Sequence, residues 1–306
     1  MNNAQQMVVS KNTPKFSVAI QTDTYKKLIN NTLGDPERAK RFVASISSAV
    51  ATNPALQECD AGTILSGALL GEALNLSPSP VLGQYYLVPF KNTKKGTTDA
   101  QFILGAKGYV QLAIRSGQYK DIDYIEVREG EYKGRNKQNG KQEFEFIEDE
   151  EERLSRPVVG YMAYFELLNG FYKQIYWSKE KVLNHADKYS KAFNLADYKK
   201  LQAGQIPEKD MWKFSSYWYK DLDGMAFKTL LRQLISKFGI MSIDMQEAYS
   251  KDMSVMRENG DYEYVDNPNS DDEIPQINIE TGEILEKAEK ITTAKPPKKM
   301  SLKDFE

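Results

Sequence analysis

Gly83-Gln84-Tyr85-Tyr86-Leu87-Val88-Pro89-Phe90 and, beyond a polar run from Lys91 to Asp99, Gln101-Phe102-Ile103-Leu104-Gly105-Ala106-Lys107-Gly108-Tyr109-Val110-Gln111-Leu112-Ala113-Ile114-Arg115-Ser116-Gly117 carry two different periodicities. Aromatic and branched residues dominate Gln84 to Phe90 and Gln101 to Leu104, which favours extended backbone, and the polar run between them predicts a hairpin. At Gly105 the period changes. Ala106 to Ser116 reads as a short helix stopped by Gly117, with Lys107, Gln111 and Arg115 at i, i+4 and i+8 on one polar stripe and Val110, Ala113 and Ile114 pointing elsewhere. A hairpin running directly into a helix predicts an α+β protein, a small antiparallel sheet backed by helices.

The flanking segments agree. Asp35-Pro36-Glu37 combines an N-cap acceptor, a first-turn proline and an acid near the helix dipole, predicting a helix to about Thr52. Asp60 is placed to cap another that ends before Pro78. Downstream, Ile122 to Val127, Glu143 to Ile147, Val158 to Leu168 and Phe171 to Trp177 read as strands, with Asn169-Gly170 a tight-turn signal between the last two. Glu148 to Glu152 reads as an acidic loop. Helical spacing returns at Lys179 to Tyr189 and at Leu222 to Phe238. Residues 1 to 21 are polar and without period, the pattern of a mobile arm, and the chain beyond about Asn259 reads as a disordered tail.

With 306 residues and 41% hydrophobic content, the chain is long enough to bury a sizeable core. No run approaches the ~18 uncharged apolar residues of a membrane span. The Met1-Asn2-Asn3-Ala4 start shows no charged region followed by an apolar stretch, so no secretory signal is expected. A single cysteine, Cys59, fits a reducing cytoplasm. The net charge of −2 averages two unlike regions: residues 1 to 256 carry 34 Lys+Arg against 30 Asp+Glu, while 257 to 306 carry 7 against 13. A basic body with an acidic tail is compatible with binding a polyanion, because phosphate responds to local surface charge.

Most catalytic chemistry lacks its residues. His185 is the only histidine, so any nucleophile–histidine mechanism hinges on one residue in a lysine-rich helix. One Cys and one His do not supply a typical structural zinc site. No phosphate-binding P-loop exists, since Gly140-Lys141 is followed by Gln142. One nuclease-like set remains: Asp121 or Asp123 with Glu131-Tyr132-Lys133 could place two carboxylates and a lysine around Mg²⁺. The competing reading is a solvated strand and loop.

The basic constellations point elsewhere. In Gly105-Ala106-Lys107-Gly108 the glycines permit close backbone approach, and the helix N-terminus offers unpaired N–H groups suited to phosphate. On Leu222 to Phe238 an apolar arc leaves Lys228, Arg232 and Ser236 at i, i+4 and i+8 on a narrow face, which suits a groove wall or simple solvation. Trp212, Tyr217, Trp218 and Tyr219, interleaved with Lys213 and Lys220, supply aromatic faces for stacking with bases or for the core.

Three ordered blocks carry a family resemblance: Gly83 to Phe90 with Gln101 to Gly117; Val158-Val159-Gly160-Tyr161-Met162-Ala163-Tyr164; and Ser215-Ser216-Tyr217-Trp218 through Met225-Ala226-Phe227-Lys228-Thr229-Leu230-Leu231-Arg232. Together they resemble the RecT/Redβ family of phage and prophage single-strand annealing proteins, over about Thr32 to Ser242. Tyr217, Gly224 and Phe238-Gly239 depart from that family's common residues. The resemblance implies an arm and first helix over 1–31 used in oligomerisation, a DNA-binding and annealing core over 32–256, and an acidic tail over 257–306 that docks partners.

It further implies ATP-independent, non-enzymatic annealing by rings and helical filaments on single-stranded and annealed duplex DNA. The partners so implied are further copies of the chain, a 5′-to-3′ exonuclease and a host single-strand-binding protein, in the cytoplasm of a bacterial cell. No cofactor is required on this reading, and whether Mg²⁺ assists is open. The DNA-contacting candidates are Lys107, Gln111, Arg115, Lys228 and Arg232. Lys91 and Lys94 in the hairpin turn join them, with Lys213, Ser215 and Trp218 upstream of the last helix. Two other readings stand beside this one: a general single-strand or RNA-binding module, because Gly105-Ala106-Lys107-Gly108 faintly resembles the GXXG loop of KH domains, and the metal-dependent nuclease.

Overall fold

Polar capping residues set most helix starts. In the computed structural model, which describes residues 15–92 and 96–264, Asp35 accepts from the Glu37 N–H, Asp60 from Thr63, Ser178 from Lys181 and Asp221 from Gly224. Each supplies an acceptor that the first turn of a helix lacks. The N-terminal helices are α1 (Phe16–Ala19), α2 (Asp23–Leu33), α3 (Pro36–Thr52) and α4 (Ala61–Ala73). Phe16, Ala19 and Ile20 are buried in the main hydrophobic cluster. The polar-arm reading therefore fails for residues 16–20, whose short apolar group was too small to show a period; residues 1–14 lie outside the described residues.

The expected hairpin is present and longer than its sequence signal. β1 (Tyr85–Asn92) pairs antiparallel with β2 (Thr97–Leu104), from Tyr85 opposite Leu104 to Asn92 opposite Thr97. α5 (Ala106–Arg115) follows at once. Two glycines let α5 press against the start of the hairpin. A Cβ on Gly105 would stand 2.2 Å from the Gly83 carbonyl oxygen, and one on Gly108 2.1 Å from that of Gln84. These are backbone obstacles that no side-chain rotation relieves.

A second sheet stands beyond α5. It runs β3 (Tyr119–Arg128), β6 (Val158–Leu167) and β7 (Tyr172–Ser178), antiparallel in that order, with β6 and β7 joined through Asn169-Gly170 as expected. Between β3 and β6 lie β4 (Tyr132–Arg135) and β5 (Gln142–Phe144), a small hairpin, and α6 (Glu150–Ser155). β4 escaped the sequence reading because it is short and polar. The expected acidic loop at Glu148 to Glu152 is mostly helix: Asp149 caps it, and Glu150, Glu151 and Glu152 occupy the first turn, where the helix dipole favours acids.

α7 (Lys179–Tyr189), α8 (Leu195–Gln202), α9 (Tyr217–Lys220), α10 (Leu222–Phe238) and α11 (Ile243–Lys251) complete the helices described. α10 is central: it contacts β3, β6, β7 and α5. After α11 the chain returns to the first sheet. β8 (Ser254–Met256) pairs with β2 and β9 (Tyr262–Tyr264) with β8, giving the order β1-β2-β8-β9. Structure thus continues past the expected start of the tail, since Arg257 is anchored to buried Asp99 at 2.9 Å and β9 closes a hairpin. The remainder of the tail lies outside the described residues. The architecture is α+β with small antiparallel sheets, as the change of period at Gly105 predicts.

Gly108→Ala tests the contact between α5 and β1. Forcing a methyl against the Gln84 carbonyl should lower unfolding stability by ~1–3 kcal/mol, read as a lower urea midpoint at unchanged m. An unchanged midpoint would show that the two elements are less closely apposed than described.

Candidate nucleic-acid interface

Asp252 organises the ground between the two sheets. Its carboxylate is buried and accepts four hydrogen bonds: Lys228 Nζ at 2.8 Å, Arg232 Nη1 at 2.9 Å, the Leu104 N–H at 2.9 Å and the Tyr109 hydroxyl at 3.1 Å. These donors come from α10, from the end of β2 and from α5. Burial opposes ionisation of Asp252, but the adjacent Lys228 and Arg232 cations outweigh it and hold the carboxyl below its ordinary range.

Lys228 and Arg232 therefore do not form the solvated stripe that their spacing suggests. Lys228 is only 3% exposed. Arg232 is held by Nη1 to Tyr109, the Tyr249 carbonyl and Asp252, and its guanidinium lies 3.9 Å from the centre of the Tyr249 ring. The i, i+4 pattern was correctly seen, but the sequence conceals that an acid 20 or more residues downstream lies opposite.

The other candidates separate into groups. Lys107 is exposed at the first turn of α5. Gln111 is half-buried. Arg115 reaches back to the end of α4, donating to the Leu74 and Asn75 carbonyls at 2.8 and 2.9 Å. Ile114, expected off the polar stripe, is exposed. Lys91 is exposed on β1, while Lys94 lies outside the described residues. Lys213 pairs with Asp210 at 2.9 Å, Ser215 is exposed, and Trp218 is buried.

Several of these line a run of adjoining hollows. One, of about 250 Å³, opens beside the α5 N-terminus and is walled by Gly105, Lys107, Tyr86, Tyr124, Tyr217 and Phe227. Tyr124 and Phe227 are in ring contact there, as are Tyr86 and Tyr217. Gly105 offers no side-chain cap, and the Ala106 and Lys107 N–H groups have no hydrogen-bond partner among the described residues. A second hollow, of about 450 Å³, shares Met225 and Lys228 with the first and adds Trp177, Tyr189, Trp218, Arg232 and Tyr249. A third, of about 140 Å³, joins Trp218 to Lys213 and Ser215. Free helix N–H groups, an exposed lysine and aromatic faces in one trough can accept phosphate and stack bases.

Two residues weighed for catalysis have structural roles. Glu131 is buried, accepting from Arg153 Nε at 2.7 Å and from the Arg128 and Ile147 N–H groups at 2.7 and 3.3 Å. Burial works against its charge, yet those bonds keep its carboxyl below the usual value. It braces the β3–β4 turn against α6 and is not a solvated member of a metal set. Among the described residues no group of three or more His, Cys, Asp or Glu stands ready to hold a metal ion. His185 packs against Trp177 and Tyr189, and burial, with Lys181 and Lys188 nearby, pushes its pKa down to about 4.

The description "RecT family" applies to a family model that matches residues 40–265. The chain belongs to the RecT family. It is also 39% identical over 212 residues to the uncharacterized protein YqaK of Bacillus subtilis strain 168, covering 69% of this chain and 63% of that protein. To Protein RecT of Escherichia coli K12 it is 30% identical over 222 residues, 70% of this chain and 71% of that one. The chain thus spans somewhat less than two thirds of the length of YqaK. The RecT-family match begins within α3 and extends past β9, so it takes in every element that walls the trough. Asp252, Tyr109 and Tyr249 were missed as site residues. An acid just after an amphipathic helix carries no local sign of its distant partners.

Asp252→Asn should be strongly destabilising, by ~3–5 kcal/mol, because it leaves two cations short of their buried counter-charge. Chemical denaturation measures this. The folded-state pKa is depressed, so the carboxylate's contribution is present above its unfolded value near ~3.9 and is lost as pH falls through the folded one. The gap between wild type and variant should accordingly narrow in acid; a gap constant with pH would contradict the assigned charge.

Proposed function

We propose that this protein anneals complementary single strands of DNA without nucleotide hydrolysis, acting as a homo-oligomer or filament in recombination. The observation that carries this reading is the α5 N-terminus, where two unpartnered N–H groups and exposed Lys107 meet an aromatic-walled trough. Membership of the RecT family supports it. Phosphates of the first strand engage Lys107 and the α5 N–H groups, while Lys213, Ser215 and Lys91 extend the polar track. Lys228 and Arg232, both paired with Asp252, hold the trough wall rigid.

Sequence is read by base pairing. Each stacked step contributes ~1.4 kcal/mol, which suffices to drive annealing once strand repulsion is lowered. The protein's part is electrostatic and geometric, which is why this reading assigns it no catalytic residue and no required cofactor, with Mg²⁺ at most assisting. A 5′-to-3′ exonuclease would supply the single strands, a host single-strand-binding protein would compete for them, and both would be met in the cytoplasm of a bacterial cell.

The test mixes labelled complementary oligonucleotides with purified protein and no ATP. Duplex should form faster than in buffer. Strand affinity should fall with salt at a log–log slope of roughly −0.7 per neutralised phosphate, and Lys107→Ala should make that slope shallower. Bound strands that never pair would favour a general single-strand binder, and fragments formed with Mg²⁺ would favour the nuclease.

A further inference from the structure

Six large apolar side chains stand in water around the start of β3. Leu168 and Phe171 flank the β6–β7 turn, Phe238 ends α10, Ile240 and Ile243 lie just before and at the start of α11, and Ile114 sits in the last turn of α5. They are between 39% and 82% exposed. Local contacts join them into one face. The Leu168 N–H donates to the Gln118 carbonyl at 3.0 Å, the Gly117 N–H to that of Ile114 at 3.1 Å, and the Tyr119 hydroxyl to that of Ile240 at 2.8 Å. Lys173 Nζ stands 4.3 Å from the centre of the Phe238 ring. At the other end of α5, a helix about 15 Å long, Pro80, Val81 and Leu82 form a second exposed apolar group, with Val81 85% exposed. This knob is held firmly, since the Leu82 and Gly83 N–H groups both donate to the Ser79 carbonyl and Gly83 lies against Gly105 at the helix start.

A contiguous apolar face of this kind marks a protein contact, and its six side chains supply a large part of the ~800 Å² that each partner buries in a contact of standard size. Four of the six are aliphatic and offer a nucleic acid neither a stacking ring nor a donor, so the face does not extend the trough. The knob and the face belong to one chain and lie at opposite ends of one helix. A second copy set end to end along α5 therefore brings the knob of one against the face of the next. Resting on the homo-oligomer read above, we propose that copies of this chain join head to tail, with Val81 and Leu82 of one seated on the face around Leu168 and Ile243 of its neighbour. Such a contact uses different surfaces on its two sides, and so it either closes into a ring or continues as an open helix. Pro80 and Gly83 also wall the trough at the α5 N-terminus, so each trough would open beside the next copy and one strand would run from trough to trough.

Two variants of the full chain test this by sedimentation. Leu168→Glu with Ile243→Glu blocks the face, and Val81→Glu with Leu82→Glu blocks the knob; all four residues are exposed, and an unchanged urea midpoint shows that each variant is folded. Wild type should assemble, and each variant alone should sediment as a single copy. An equal mixture should give a two-copy complex and nothing larger, because one intact knob and one intact face remain between the two. A chain carrying only Leu82→Cys and Leu168→Cys supplies a second readout: mild oxidation should link copies to one another, while the native Cys59 is buried. A wild type that stays single, assembly that survives either pair of substitutions, a mixture that stays single, or no link between copies would overturn the interface. Strand pairing by the wild type in any of those cases would leave the annealing reading standing, whereas a wild type that binds no single strand would remove that reading itself.

Discussion

The buried carboxylate of Asp252 is the constraint on which the arrangement depends. It ties α10 through Lys228 and Arg232, the end of β2 through the Leu104 N–H, and α5 through Tyr109. A lone buried carboxylate would be costly, and so would the buried Lys228 ammonium; paired with each other and with the partly exposed Arg232, and with every carboxylate lone pair engaged, they are tolerated. The consequence is positional. The strand that delivers the Gly105 turn and the helix that walls the trough are fixed relative to one another by one side chain near the end of the described residues.

That arrangement divides the basic residues by task. Lys228 and Arg232 are paired with Asp252, and Arg115 closes the end of α4 by donating to two carbonyls. Lys107 is exposed at a helix N-terminus with unsatisfied N–H groups, the arrangement proposed above to receive a phosphate. Glu131 and Arg153 form an analogous internal pair that stiffens the β3–β4 turn. Charged residues at suggestive spacings can thus serve the fold or the ligand, and the spacing is the same in either case.

Aromatic side chains show the same division. Tyr85, Tyr109 and Tyr161 are fully buried, whereas Trp212 is largely exposed, and Tyr86, Tyr124 and Tyr217 are half-buried along the trough. Trp218 stands apart because it is enclosed and still lacks an acceptor for its N–H. In a well-packed interior such a group costs about 1–3 kcal/mol.

Local physics fixed much of this protein without reference to the fold. Alternation and aromatic content defined the β1–β2 hairpin, Asp35-Pro36 and Asp60 started their helices, Asn169-Gly170 turned β6 into β7, and Gly105 switched the chain from strand to helix. All are interactions among neighbours in sequence. What the sequence could not show were pairings across long separations: Asp252 with Lys228 and Arg232, Arg115 with the α4 terminus, Arg257 with Asp99, and Phe16 with the core. A residue's own neighbours do not reveal whether its charge meets water, phosphate or a buried counter-ion, because that depends on which distant segment packs opposite it.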